Sequence, residues 1–267
     1  MGGWLLVYYT YTYLEGSFCL LHLVSPIVDS IINGTKLLPL VDCYPFPIFV
    51  SPTYQFMYVY QALVLIWLCW QNYNIDTLIT GFLSFSALQC DILCDNLINL
   101  KLGEGEEDDE IKKMQEKLVA CVEHHSRIDR FIRDVEFCFS WNILEQLACS
   151  VITFCTTMFK ISLSEPMSKE FFTTIIYQAA CFLQVFIYCW SGSVLEEKSE
   201  KIPSAAYQCD WVDASKGFKS TLLNFTQRVQ RPLRMRTVLF PLSLDVFLQI
   251  IKSSFSYYTV LSTLNEK

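Results

Sequence analysis

The chain has 267 residues, of which 52% are hydrophobic, 15% aromatic and only 18% charged, an apolar content above that of an ordinary water-soluble domain. A formal charge of -7, with cations scattered among acids, leaves no basic stripe to neutralise a phosphate backbone, so nucleic acid is not an expected partner. The twelve cysteines fall mostly inside apolar stretches, as Cys69, Cys149, Cys155, Cys181 and Cys189 do, and without C-x-x-C spacing they read as small core residues rather than a disulfide framework.

A helix needs roughly 20 mainly apolar residues to cross the hydrocarbon core of a bilayer. Five runs of that order occur, at about 4–32, 54–70, 135–159, 171–190 and 238–264. The expected fold class is all-α: one polytopic membrane domain over 1–267, with segments outside the membrane at about 72–134 and 191–237. The first run begins almost at Met1, without the basic region of a signal peptide, and Leu6 stands where a myristoylation motif needs Ser or Thr. A span that opens this abruptly leads to the expectation that the sequence is missing its beginning.

After the first run, Asn33-Gly34-Thr35 forms a glycosylation sequon. The following stretch, LPLVDCYPFPIFVSP (38–52), holds Pro39, Pro45, Pro47 and Pro52, which preclude regular helix and favour a rigid extended loop bearing Tyr44, Phe46 and Phe49. Beyond the second run, Ile75, Leu78, Ile79, Phe82, Phe85, Leu88, Ile92 and Leu93 recur at helical spacing, so 72–102 is expected to extend that span as an amphipathic helix. The run GEGEEDDE (103–110) reads as a solvated loop, its acids lacking the EF-hand alternation. A charged amphipathic helix is expected over 112–139, leading into the third span. His124 and His125 on it point about 100° apart and cannot share a metal as an i, i+4 pair would. Cys90 and Cys94 do have that spacing, beside Asp91 and Asp95, but core packing is their favoured role.

Loop charges set the orientation, because Lys and Arg are retained on the cytoplasmic side. One cluster follows the second span (Lys101, Lys112, Lys113, Lys117, Arg127, Arg130, Arg133). Another follows the fourth (Lys198, Lys201, Lys216, Lys219, Arg228, Arg231, Arg234, Arg236), whereas the intervening loops carry only Lys36, Lys160 and Lys169. The N-terminus is therefore expected inside and the C-terminus outside. Asn33 then faces the lumen as a glycan acceptor, and Asn224-Phe225-Thr226 stays bare.

No nucleophile elbow, P-loop, Gly-rich dinucleotide turn or H-E-x-x-H motif occurs, so neither enzymatic function nor a cofactor is expected. Polar residues within spans cost about 2.5–3.5 kcal/mol at mid-helix and mark function or interhelical contact. Glu15, His22, Glu145, Gln146, Gln178, Gln184, Asp245 and Lys252 are such residues, with hydrogen bonding to a neighbouring helix favoured over ligand contact.

The segments CDWVDAS (209–215), LFPLSLDVF (239–247) and SFSYYTVLSTL (254–264) resemble the C-terminal signature of insect odorant receptors. YCWSG (188–192) followed by AAYQCDW (205–211), LVACVEHHSRIDRF (118–131) and LPLVDCYPF (38–46) extend the resemblance over essentially the whole chain. It implies a seven-helix fold with an intracellular N-terminus, of which the five runs would be helices three to seven, helices one and two being absent. It further implies an odorant-gated, nonselective cation channel, a tetramer assembled with an obligate co-receptor in the dendritic plasma membrane of an olfactory neuron. The short loop before helix five looks like that of an odour-tuning subunit. In such receptors the cytoplasmic helix extensions pack into an anchor domain, here 72–134 and 191–237, and the last helix, split here near Pro241, lines the pore. The resemblance carries the gate onto Val260 and Leu264, on one helix face, and the ligand site onto Phe18, His22, Tyr54, Met57, Tyr58, Thr174 and Tyr177, whose aromatic walls and hydroxyls suit a small volatile molecule. Other readings remain open: a non-functional truncated receptor, a G-protein-coupled receptor, which the loop charges oppose, or a transporter, for which no internal repeat is visible.

Overall fold

Apolar runs in a bilayer must satisfy their backbone groups internally, and most of the described residues do so in helices. A computed structural model describes residues 2–34, 36–40, 50–101, 107–212 and 214–265. Its helices are α1 (Gly2–Asn33), α2 (Thr53–Ile98), α3 (Glu107–Leu163), α4 (Lys169–Glu200), α5 (Ile202–Tyr207), α6 (Lys216–Val229) and α7 (Leu244–Asn265). Among the described residues there is no strand, only an isolated bridge between Arg236 and Pro241.

Four segments, Tyr8–Ile32, Thr53–Ile98, Glu110–Leu163 and Lys169–Tyr207, are long and apolar enough to cross a membrane. Helix α7 is not among them: Asp245, Gln249, Lys252 and a Ser- and Thr-rich second half dilute its apolar character. At 1.5 Å per residue, the 46 residues of α2 extend about 69 Å and the 57 of α3 about 86 Å, against a hydrocarbon core of roughly 30 Å. Both helices therefore run far beyond any span they contain. That is the structural form of the expected extension at 72–102.

The chain divides into two compact units. Unit 1 comprises Met1–Thr77, Ser150–Val185 and Ile251–Lys267; unit 2 comprises Leu78–Cys149 and Phe186–Ile250. In unit 1 large apolar side chains stay uncovered, among them Leu20, Ile31, Phe56, Leu63, Trp67 and Trp70. A water-soluble surface would not tolerate them at this density, whereas acyl chains do. In unit 2, Leu83, Leu93, Leu97, Leu118, Leu195, Ile202 and Phe218 are fully buried, each contributing about 1.5–3 kcal/mol where water is the alternative. Ser215 caps α6 there by accepting from the Phe218 amide at 3.2 Å, and Lys198 pairs with Asp91 at 2.7 Å.

Several boundaries and burials differ from the sequence reading. The sequence places the last span at 238–264, but α7 starts at Leu244. Pro232 and Pro241 lack amide donors, and 235–242 closes instead as a hairpin, with the Leu242 amide on the Met235 carbonyl and the Thr237 amide on the Phe240 carbonyl, both at 2.8 Å. Helix α3 opens at Glu107, inside the run read as a loop at 103–110, since acidic residues suit a first helical turn. The apolar stripe of α2 is two stripes. Ile79, Leu83, Leu93 and Leu97 are buried, while Ile75, Leu78, Phe85, Leu88 and Ile92 are exposed. Cys155, Cys189 and Cys209 are buried as core residues should be, but Cys149 is exposed, and the cysteines at described positions are all free thiols. Burial pushes the Cys209 thiol above its ordinary range, which keeps it inert. The prolines and aromatics of 41–49, expected to form a rigid loop, lie outside the described residues.

Candidate ligand and pore residues

Tertiary structure in lipid cannot lean on the hydrophobic effect between helices, so packed rings and hydrogen bonds decide which helices meet. Phe18 and His22, one turn apart on α1, pack in a tilted pair with ring centroids 4.3 Å apart, and Tyr177 of α4 packs on Phe18 at 4.7 Å. The Nδ1 atom of His22 is buried with no hydrogen-bond partner among the described residues. Tyr58 of α2 donates its hydroxyl to the carbonyl of Leu23, the residue after His22. Four of the seven expected ligand residues thus gather where α1, α2 and α4 meet.

Of the other three, Tyr54 adjoins the cluster through Tyr58. Tyr54 lies 6.2 Å from Tyr58 and gives its hydroxyl to the Leu37 carbonyl at 2.9 Å, with the Lys36 ammonium 5.6 Å from its ring centroid. Its hydroxyl therefore holds the chain after α1. Gln61 assists by accepting the Leu40 amide at 3.0 Å. Thr174 is buried, and its hydroxyl donates to the Glu170 carbonyl at 2.8 Å, leaving its methyl as the face it offers. Met57 is half-buried on α2.

A second constellation was not foreseen. The Asp76 carboxylate, buried on α2, accepts from the Tyr11 hydroxyl of α1 at 2.5 Å and from the Gln184 amide of α4 at 2.7 Å. One turn along, Asn72 donates to Glu15 at 3.1 Å, and Gln178 meets Thr157 of α3. The polar residues Glu15, Gln178 and Gln184 thus bond to neighbouring helices, the favoured sequence reading. Glu145, Asp245 and Lys252 are exposed. Asp76 and Tyr11 went unnoticed because Asp76 lies just past an apolar run and tyrosine is unremarkable within one; an acid less than two turns beyond a span was the available signal.

On α7, Val260 is 54% exposed and Leu264 64%, against 37% for Leu261. Apolar side chains at i, i+4 thus stand uncovered while Ser254 and Ile250 on the same helix are buried. Asn33 closes α1, its side chain lying outside the described residues together with Thr35. His124 bonds Gln89 at 2.9 Å and His125 packs edge-on to Phe225 at 5.7 Å, the two imidazoles serving different contacts.

A family model described as "7tm Odorant receptor" matches residues 3–255. The chain belongs to that family. Among its relatives, odorant receptor 46a isoform A of Drosophila melanogaster is 29% identical over 220 residues, covering 80% of this chain and 56% of the relative. Odorant receptor 10 of Aedes albopictus is 23% identical, over 84% of this chain and 58% of the relative. This odorant receptor chain therefore spans a little over half the length of the curated relatives it matches. The fold is that of the insect olfactory receptor OR5 from Machilis hrabei: the complex with eugenol superposes with a TM-score of 0.82 at 19% identity, covering 97% of this chain and 66% of OR5. OR5 without the ligand gives 0.81. Family membership and the apolar helices together make the protein a multi-pass membrane protein.

Proposed function

We propose that the chain is an odour-tuning subunit of a ligand-gated, nonselective cation channel that assembles with a co-receptor into a tetramer. The carrying observation is the family match across residues 3–255. The N-terminus lies in the cytoplasm and the C-terminus outside, as the Lys and Arg distribution favours. The cytoplasmic anchor is built from 72–134 and 191–237, and the outer part of α7 borders the pore with Val260 and Leu264. No catalytic step is part of this function.

The ligand is a small volatile molecule received between α1, α2 and α4. Phe18 and Tyr177 supply ring faces, and the unpartnered Nδ1 of His22 supplies a polar contact. The complex of OR5 with eugenol supports an aromatic volatile bearing one or two oxygens. A buried nitrogen without a partner forfeits about 1–3 kcal/mol, which a ligand hydroxyl or carbonyl recovers.

Co-expression with a co-receptor in a cell line and whole-cell recording over a broad odorant panel tests the reading. An evoked inward current that falls in His22→Leu and Phe18→Ala, at unchanged surface expression, is expected. A chain that reaches the surface with its partner and passes no evoked current for any odorant overturns it. A C-terminal epitope should be accessible to antibody on unpermeabilised cells; one reached only after permeabilisation would favour the G-protein-coupled class.

A further inference from the structure

Unit 2 contains a cavity of about 790 Å³ that the odorant-gated function does not use. Its walls are α3 and the chain that follows α6. Five arginines line it: Arg133, Arg228, Arg231, Arg234 and Arg236. No lysine does. Retention of cations on the cytoplasmic side asks only for positive charge, which lysine supplies equally well. Guanidinium forks in a concavity answer a narrower need, bidentate recognition of a planar or tetrahedral oxyanion.

The carboxylates present do not use up these arginines. Asp129 bonds Arg133 at 2.7 Å and is 3.9 Å from Arg228, Arg234 pairs with Glu196, and Glu136 faces Arg236. Arg231 has no acidic partner among the described residues, and five guanidinium groups face three carboxylates. A chain whose net charge is -7 thus carries a local positive basin.

A second observation is independent of the arginines. His125 also lines the cavity and is only 4% exposed, yet its Nδ1 has no hydrogen-bond partner among the described residues. Its ring is fixed edge-on by Phe225. In its Nδ1–H tautomer, a buried, unpartnered imidazole on the wall of an arginine-lined cavity is a donor awaiting an acceptor. The volume falls within the range of small-molecule sites, about 300–1,000 Å³. Phe137, 88% exposed on the same wall, adds an apolar edge where the third apolar run (135–159) begins.

We propose that this cavity binds a polyphosphorylated anion, with Arg231 and Arg228 gripping phosphate oxygens and His125 donating from Nδ1. The shared chemistry is that of a phosphorylated inositol ring, either the headgroup of a membrane lipid or its free form in the cytosol.

The test uses the full chain, purified and held in nanodiscs of phosphatidylcholine alone, so that neither an odorant nor a current enters the measurement. Inositol hexakisphosphate, titrated by calorimetry at physiological salt, should bind saturably with one site per chain. Arg231→Gln should weaken binding at least tenfold and Arg231→Lys by less, because the charge remains while the fork is lost. Arg130→Gln, an exposed cation of α3 that does not line the cavity, should leave binding unchanged. His125→Gln, which retains a donor, should bind more tightly than His125→Leu. Nanodiscs containing a few per cent phosphatidylinositol bisphosphate then assign the source. If the lipid blocks the soluble probe, the headgroup is the ligand; if it does not, the free form is. Absence of saturable binding in every arm, or equal loss in Arg130→Gln and Arg231→Gln, would overturn the proposal.

Discussion

Gln184 and Asp76 stand 108 positions apart in the chain and share a hydrogen bond of 2.7 Å. With Tyr11 on the same carboxylate, it joins three helices of unit 1 at one buried point. Where lipid replaces water, the separated helices gain little from hiding apolar surface, so such a junction carries a larger share of helix pairing.

The junction predicts an ordered mutation series. Asp76→Ala leaves a hydroxyl and an amide without their acceptor and should destabilise by about 1–3 kcal/mol, more than Tyr11→Phe, which removes one donor from a carboxylate that keeps Gln184. The coupling between Asp76→Ala and Gln184→Ala should be about 0.6 kcal/mol and no more than about 1.7, the range of interhelical bonds in membrane proteins. Thermal unfolding in detergent of the two single mutants and the double mutant measures it. Strictly additive losses would mean that the pair does not act as one contact.

The gate prediction rests on uncovered apolar side chains. If Val260 and Leu264 narrow a dry constriction, serine at either position admits water and lowers the barrier to ions, so baseline current should rise in the channel formed with the co-receptor. Leu261→Ser, from a different face of α7, should leave baseline current unchanged. Identical baseline and evoked currents in Val260→Ser, Leu264→Ser and the parent, at equal surface expression, would remove these two residues from the pore.

Glycosylation reports orientation independently of current. Asn224 lies within α6, where a helical backbone resists the extended geometry of an acceptor, and on the side placed in the cytoplasm; Asn33 lies at the end of α1. Glycosidase treatment should increase gel mobility of the parent and have no effect on Asn33→Gln. A shift that depended on Asn224 would reverse the orientation.

Length and apolar periodicity made the helices legible, because 20 uncharged residues in lipid have few alternatives to a helix. The meeting of Phe18, His22 and Tyr177 was legible through resemblance, since rotation of each helix about its axis leaves no trace in composition. Three features escaped. Pro241 reads from the sequence as the point where the last span splits, whereas the hairpin at 235–242 depends on Met235, Thr237 and Phe240 pairing across it. The exposed second stripe of α2 could not be told from the buried one by spacing alone. Arg228, Arg231, Arg234 and Arg236 counted only as loop charge, because their convergence with Arg133 and His125 is made by tertiary structure.

Gly192 offers the most sharply defined change in the molecule. It lies in the interior of α4, where glycine costs up to about 1 kcal/mol relative to alanine, so Gly192→Ala on propensity alone should stabilise. A Cβ there, however, would stand 2.3 Å from the Leu242 carbonyl oxygen and 3.0 Å from its carbon. Those atoms are backbone and cannot rotate away. They are also pinned, by the Leu242 amide on Met235 and by the next-but-one amide, Leu244, on the Ser193 hydroxyl at 2.9 Å. The helix and the hairpin must therefore separate, and overpacking of this kind costs about 1–3 kcal/mol, which outweighs the propensity gain. Gly192→Ala should lower the unfolding temperature and the fraction of protein reaching the surface, while Gly81→Ala, at a helical position with open space around its Cβ, should be neutral or stabilising. An unfolding temperature for Gly192→Ala equal to or above that of the parent would show that the contact between α4 and the hairpin yields without cost.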